Sequence, residues 1–351
     1  MTELLQTIAP PSRSLPVVIF GAGSIVTDAH LPAYAKAGFT VAGIYDPDRA
    51  KAEAILPPGA VAYASMADAT AAGTAVVYDL AVPPAAIPGI LRTLPEGAVA
   101  LIQKPMGSDL KTADEIIGIL RTRNIRAAVN FQLRFAPMAL ALKDAIAQGQ
   151  LGDLVDFDAW LALDTPWHLW AFLADLPRVE ILLHSIHYLD FMRDLLGNPL
   201  GIAARTMGHP SSTVSNTRTA MMMDYGPEVR ANLSINHNHA FGRKFQACEF
   251  RICGTKGAAY MKLGVNLDYP RGEPDELWLN TGAGWEQVPL IGNWFIEAFV
   301  GRITQVMRFA VGEDDALQGS AEDAWHTMAL VEAAYDSAAA PLYPIRTAPD
   351  A

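Results

Sequence analysis

Cysteine is nearly absent from this chain of 351 residues, with only Cys248 and Cys253 present. Five positions apart in a stretch that reads as a strand, they point to opposite faces and cannot pair. They read as small hydrophobes in a reducing compartment rather than as a disulfide or a metal site. Long hydrophobic runs are missing too. Every apolar stretch is broken by Pro, Gly or charge before the roughly 20 residues a bilayer helix needs, so no membrane span is expected. The opening stretch MTELLQTIAPPSRS carries neither a basic n-region nor an apolar h-region, which points to a cytoplasmic protein with residues 1–15 as a loose leader. Basic residues are in deficit, 26 against 37 acidic ones, a net charge of −11. Without a basic patch that balance excludes nucleic acid as a partner. Charge is sparse at 18% and hydrophobic content high at 51%, which excludes disorder and leaves a globular chain of about two domains.

Within that frame, short β-branched runs alternate with helical patterns. Leu15–Phe20, Thr40–Tyr45, Ala75–Leu80, Ala98–Ile102 and Arg126–Asn130 read as strands buried on both faces. Helices are predicted near 27–37, 48–55, 85–94 and 109–123, giving a doubly wound α/β domain. After residue 130 the pattern changes. A helix over 137–148, a strand over 154–163 and one long amphipathic helix over 178–196 precede strand-like stretches at 201–209, 217–224, 229–239, 244–253 and 258–262. The end, from about Trp294 to Ala340, reads as helical. The fold class is thus α/β: an N-terminal doubly wound parallel sheet over 15–130, then an α+β domain over 131–340 built on a large, mostly antiparallel sheet.

Gly21-Ala-Gly23-Ser24-Ile25-Val26 directly follows the first strand and opens a helix, where a dinucleotide fingerprint must sit. The first glycine makes the tight turn, and the second lets a pyrophosphate approach the backbone and the helix N-terminus. Val26 stands at the third glycine position. Asp46 closes the second strand about 20 residues on, placed to accept both ribose hydroxyls and to repel a 2′-phosphate. NAD is favoured, with Arg49 leaving NADP open.

Several short motifs then occur in one order. Val82-Pro83-Pro84 and Gln103-Lys104-Pro105 follow successive strands, and Asn130-x-Gln132-x-Arg134-Phe135-x-Pro137 leaves the last one. His187-Tyr-Leu-Asp190, Ile252-Cys-Gly254-Thr-x-Gly257 and Glu322-Asp-Ala through Ser337 complete the set. Together these resemble the Gfo/Idh/MocA oxidoreductases, the family of glucose-fructose oxidoreductase and inositol dehydrogenase, from about residue 15 to 340. The resemblance implies a Rossmann domain and NAD(P)-dependent hydride transfer on a hydroxyl or carbonyl carbon of a sugar, inositol or polyol. It also implies a homodimer or homotetramer formed through the second-domain sheet. Lys104 matches the lysine that orients the hydroxyl and relays its proton, and His187 the catalytic histidine, suited to be a general base. Gly21, Gly23, Ser24, Ile25, Asp46, Arg49, Pro83, Gln103, Lys104 and Asn130 become the candidate cofactor residues.

The chain departs from the pattern at three places. Gln103 replaces the usual Glu, and Ile87 stands where many members carry His. Leu183 stands four residues before His187, where many have an orienting Asp; Asp164, and less well Glu180, could replace it. His184 lies on nearly the same helical face as His187 and is a candidate substrate contact, as are Asp164, Trp167 and His168 of the segment Asp164-Thr-Pro-Trp167-His168-x-Trp170. His237 and His239 share one strand face. A metal on His184, His187 and Asp190 fits the helical spacing, but three ligands on one helix rarely suffice, and no metal is expected. Two other functions remain open: a glycoside hydrolase using tightly bound NAD as a temporary oxidant, and a non-enzymatic NAD-binding regulator.

Overall fold

The computed structural model describes residues 3–267 and 272–345, without the side chains of residues 170–172. Strands β1 (Val17–Phe20), β2 (Val41–Tyr45), β3 (Val61–Ala62), β4 (Val77–Leu80), β5 (Val99–Ile102) and β6 (Arg126–Val129) form a parallel sheet in the order β3-β2-β1-β4-β5-β6. All four side chains of β1 and of β4 are buried, as helices on both faces require. The order reverses beside β1, so its carboxyl end opens on a crevice flanked by the ends of β4 and β5.

The second sheet runs β14-β13-β12-β11-β7-β10-β9-β8. Its strands are β7 (Leu154–Ala162), β8 (Gly201–Met207), β9 (Arg218–Asp224), β10 (Arg230–Asn236), β11 (Ala247–Gly254), β12 (Ala258–Lys262), β13 (Glu276–Asn280) and β14 (Trp285–Gln287). Only β7 and β10 run parallel to each other; the other pairs are antiparallel. Thr219, Met221 and Met223 of β9 point to the core and alternate with Ala220, Met222 and Asp224 at the surface, the pattern of a sheet covered on one face. The helix Ala321–Ala339 packs on β8 and reaches back to β6 and to the helix Leu110–Thr122, joining the sheets through one continuous core.

Four expectations change. Residues 3–15 are docked rather than loose: Leu4 is buried, the Leu5 N–H donates to Asp144 Oδ2 at 2.9 Å, and Ser12 N–H donates to Glu313 at 2.7 Å. The helix over 178–196 is two pieces, a π-helical stretch Glu180–Ser185 followed by the α-helix Ile186–Leu196. The C-terminal helical region divides into Glu297–Ala310 and Ala321–Ala339, with an irregular link between. Strands β13 and β14 fall where no strand is predicted; the three residues of β14 are all exposed and carry no alternation to read, whereas β13 does alternate and was missed. No helix among the described residues is long and apolar enough to cross a membrane.

Candidate active site

The loop after β1 is shaped by its glycines. Gly21 takes φ +103°, and a Cβ there would sit 2.3 Å from the Ala81 carbonyl oxygen, so only glycine lets the loop pack against the end of β4. At Gly23 a Cβ would meet nothing within 4 Å; the missing side chain leaves open space in front of the loop, as a pyrophosphate requires. Asp46 braces the turn from the end of β2. Its carboxylate accepts from the Ala22 N–H at 2.9 Å and from the Asp48 N–H at 2.9 Å. Arg49 is exposed and paired with Glu53 at 2.7 Å, one turn along its own helix.

From this loop a cleft of about 430 Å³ runs into the second domain. Ser24 and Ile25 stand at one end, and Gln103, Lys104, Trp167, His184 and His187 line the rest. Lys104, just past β5, donates from Nζ to the Leu183 carbonyl at 2.8 Å. Loss of water around it pushes its ammonium down to about 8. His187, on the first turn of its α-helix, is 7% exposed, and its Nδ1 has no hydrogen-bond partner. Burial, then the charge of Lys104 and of His184, holds His187 well below the ordinary imidazole range. That state is neutral at physiological pH, a weaker base than the sequence suggests. His184 is likewise pushed down by burial and by His237.

The remaining candidates divide. Asn130 is fully buried and donates from Nδ2 to Gln103 Oε1 at 2.8 Å, so it positions Gln103 from behind rather than meeting the cleft. A glutamate at 103 could accept the same bond, which is how the replacement is accommodated. Pro83 is exposed outside the cleft lining, at the start of a short 3₁₀ turn. Asp164 and His168, expected as substrate contacts, are exposed and also stand outside that lining. Beyond the end of β7 at Ala162, Leu163, Thr165, Pro166 and Trp167 line the cleft, whereas Asp164 and His168 do not. The Trp170 side chain lies outside the described residues. Ile87 is fully buried in the core.

The helical trio His184, His187 and Asp190 does not assemble. Asp190 turns away to bind Arg134, whose Nε and Nη2 lie 2.5 and 2.6 Å from its carboxylate. Arg134 is therefore a buried ion-pair residue. Glu180, His184 and His237 instead bring ligand atoms within 4.8 Å of one another. Sequence reading also missed Thr165, Gln132, Asn266, Trp294 and Phe295 in the cleft. Asn266 and Trp294 arrive from segments more than 75 residues after His187, and no local pattern marks them.

A glycine loop braced by an acidic strand end, opening into a cleft with lysine and histidine, defines a dinucleotide-binding protein of the oxidoreductase type. The chain belongs to the GFO/IDH/MocA family: the oxidoreductase family's NAD-binding Rossmann fold matches residues 15–131 and the GFO/IDH/MocA C-terminal domain matches residues 139–260. The N-terminal sheet is thus an NAD-binding domain. The chain is 25% identical over 211 residues to 1,5-anhydro-D-fructose reductase of Ensifer adhaerens, a match covering 57% of this chain and 59% of that one. It is 23% identical over 249 residues to D-apiose dehydrogenase of Rhizobium rhizogenes, covering 68% and 70%. An Agrobacterium radiobacter oxidoreductase solved with NAD⁺, L-tartaric acid and magnesium shares the fold, with a TM-score of 0.77, 21% identity, and coverage of 93% of this chain and 97% of that one.

Proposed function

We propose that the protein is an NAD-dependent dehydrogenase that moves a hydride between the cofactor and a hydroxyl or carbonyl carbon of a sugar, inositol or related polyol. The carrying observation is that one cleft connects the glycine loop at Ser24 and Ile25 to both Lys104 and His187. The open space at Gly23 and the carboxylate of Asp46 fit a dinucleotide, with Gly21, Gly23, Ser24, Ile25, Asp46 and Gln103 as the residues that hold it. Arg49, tied to Glu53, gives no support to a 2′-phosphate reading. Bound NAD would supply the hydride acceptor for the substrate carbon. The hydroxyl proton passes to the neutral amine of Lys104, which burial makes available near pH 8. His187, kept neutral, holds the same oxygen by a hydrogen bond and excludes water from it. Trp167 and Trp294 supply the apolar surface that C–H faces of a sugar ring pack against.

The relatives that reduce 1,5-anhydro-D-fructose and oxidise D-apiose support the sugar-type substrate. The division at residue 130 follows the end of β6, and the unpaired cysteines, Cys248 buried and Cys253 exposed, support a cytoplasmic setting. Exposed Trp160, Met222 and Trp285 on the second sheet support a homodimer or homotetramer through that surface. The test is NADH formation by the wild type and Lys104→Ala across aldoses, inositols and sugar acids. Turnover that falls at least 10³-fold in the variant supports the reading. No turnover on any of them with NAD binding intact overturns it, and retained nucleotide would then favour the hydrolase over the regulator.

A further inference from the structure

Glu180 and His237 are both completely buried, yet neither is satisfied by the other. His237 Nε2 stands 3.5 Å from Glu180 Oε1, outside hydrogen-bond geometry, and has no hydrogen-bond partner. Its other nitrogen, Nδ1, is fixed by Thr165 Oγ1 at 2.7 Å, which aims Nε2 away from that hydroxyl. The His184 ring meets His237 edge-on at 4.2 Å between centroids, and His184 Nδ1 is also buried without a partner. Ser185 and Thr219 donate their hydroxyls to the two oxygens of Glu180 and hold the carboxylate in place. Among the described residues no lysine or arginine forms an ion pair with it.

Two imidazoles and one carboxylate around a common gap, each with its back braced by a hydroxyl or by packing, is an arrangement that a metal ion completes. The 3.5 Å between His237 Nε2 and Glu180 Oε1 is close to the roughly 3.3 Å that separates two ligands of one tetrahedral ion with bonds near 2.0–2.1 Å. The Thr165 contact is the outer hydrogen bond that ligating histidines usually make through the nitrogen not on the metal. Two imidazoles with one carboxylate suit a divalent transition ion such as Zn²⁺ better than Ca²⁺ or Mg²⁺, which prefer oxygen.

We propose that Glu180, His184 and His237 bind one divalent transition cation, Zn²⁺ in type, with an open position towards the cleft that takes a substrate oxygen. The ligands come from two elements, the π-helical stretch Glu180–Ser185 and the turn after β10, so the ion would also pin that stretch to the sheet. His184 lines the cleft beside Lys104 and His187, and through it the ion would meet a hydroxyl or carboxylate next to the reacting carbon. The substrate half of the proposal rests on the dehydrogenase reading, whereas the cation half does not.

The experiment is a Co²⁺ titration of chelator-treated protein, followed by visible absorption, with Zn²⁺ displacement to measure affinity. One equivalent per chain with the intense bands of a four-coordinate ion is expected. Affinity should fall at least tenfold in His237→Ala and in Glu180→Gln, each checked for folding by NADH binding. A wild type with no saturable equivalent, or variants that bind as the wild type does, overturns the site. Once a turned-over polyol is known, its addition should alter the Co²⁺ bands, and an unchanged spectrum overturns the substrate half. Co²⁺ binding without hydride transfer to any polyol would sink the dehydrogenase reading and leave the cation site standing.

Discussion

Lys104 is shaped for chemistry at the expense of stability. With its ammonium pushed down to about 8, the neutral amine needed to take a proton becomes abundant only above that pH. In the oxidative direction kcat/KM should rise about tenfold per pH unit below 8 and level off above it, and the reductive direction should fall above 8. A profile flat from about pH 6.5 to 9.5 would remove Lys104 as the titrating group. The folded pKa lies below the unfolded value of 10.5, so the folded protein binds fewer protons there. Stability therefore rises with pH between about 8 and 10.5, and the penalty is full below 8. Lys104→Met should abolish turnover yet raise stability at pH 7 by about 1–2 kcal/mol, less than the whole gap because the side chain keeps some contact with the open cleft. Denaturant unfolding of the cofactor-free protein measures this, and an unchanged midpoint would contradict it. At this scale the sequence was legible wherever a motif fixes a residue beside a strand end. Gly21, Gly23, Gln103 and Lys104 all sit at carboxyl ends of the parallel sheet, whose position follows from the hydrophobic runs alone. Asp164 and His168 stand outside the cleft lining because the inward positions of β7, Phe157, Ala159 and Leu161, continue past its end to Leu163, Thr165 and Trp167, which leaves Asp164 and His168 on the exposed side.

One helix that the sequence reading places, over 109–123, also carries its own cap. The helix Leu110–Thr122 begins at Asp109, which accepts from the Thr112 N–H at 2.7 Å and from its hydroxyl at 2.7 Å. Those bonds hold the Asp109 carboxyl below its ordinary range. Asp109→Ala should cost about 1 kcal/mol at pH 7, and the difference should shrink as pH falls below the unfolded carboxyl value and on through the depressed folded one, since a depressed carboxylate stabilises fully only above its unfolded pKa. Parallel urea melts at pH 7 and pH 3 check both parts; an equal loss at the two pH values would assign the effect to something other than the cap. The stretch Glu180–Ser185 shows the opposite case. Its sequence is apolar enough to continue the following helix, so it reads as one element from 178 to 196. Within the π-helical turn Glu180 is held by Ser185 of the same stretch, and from outside it by Thr219 of β9, a partner no local pattern reveals. Helical spacing therefore put His184 with His187 and Asp190, whereas the structure puts it with His237.

Across the whole molecule the two sheets are joined by a buried charge cluster as well as by the common core. Arg134, leaving the parallel sheet after β6, binds Asp190 at 2.5 Å, Asp323 at 2.8 Å and Asp194 at 3.2 Å. Arg193 adds a pair to Asp323 at 3.0 Å and Lys143 one to Asp194 at 3.0 Å. Asp190 also accepts the Thr327 hydroxyl at 2.9 Å, so the helices Ile186–Leu196 and Ala321–Ala339 meet at the same point. The sequence left Arg134 open between an interdomain ion pair and a substrate contact, but its partners could not be read, because they are spread over almost 190 positions with no shared pattern. Taking out one member should hurt more than the intact cluster contributes, since it strands the partners' charge in a dry place. Arg134→Met should destabilise the chain by about 3–5 kcal/mol. Asp190→Leu alone should be comparable, and the double variant should lose clearly less than the sum, because it leaves neither charge of the closest pair behind. Because His187 shares a helix with Asp190, any turnover left in Arg134→Met should show a larger change in kcat than in KM for NAD. A loss below about 1 kcal/mol in Arg134→Met, or strict additivity in the cycle, would mean that the cluster is screened by water and that the apolar core alone holds the domains together.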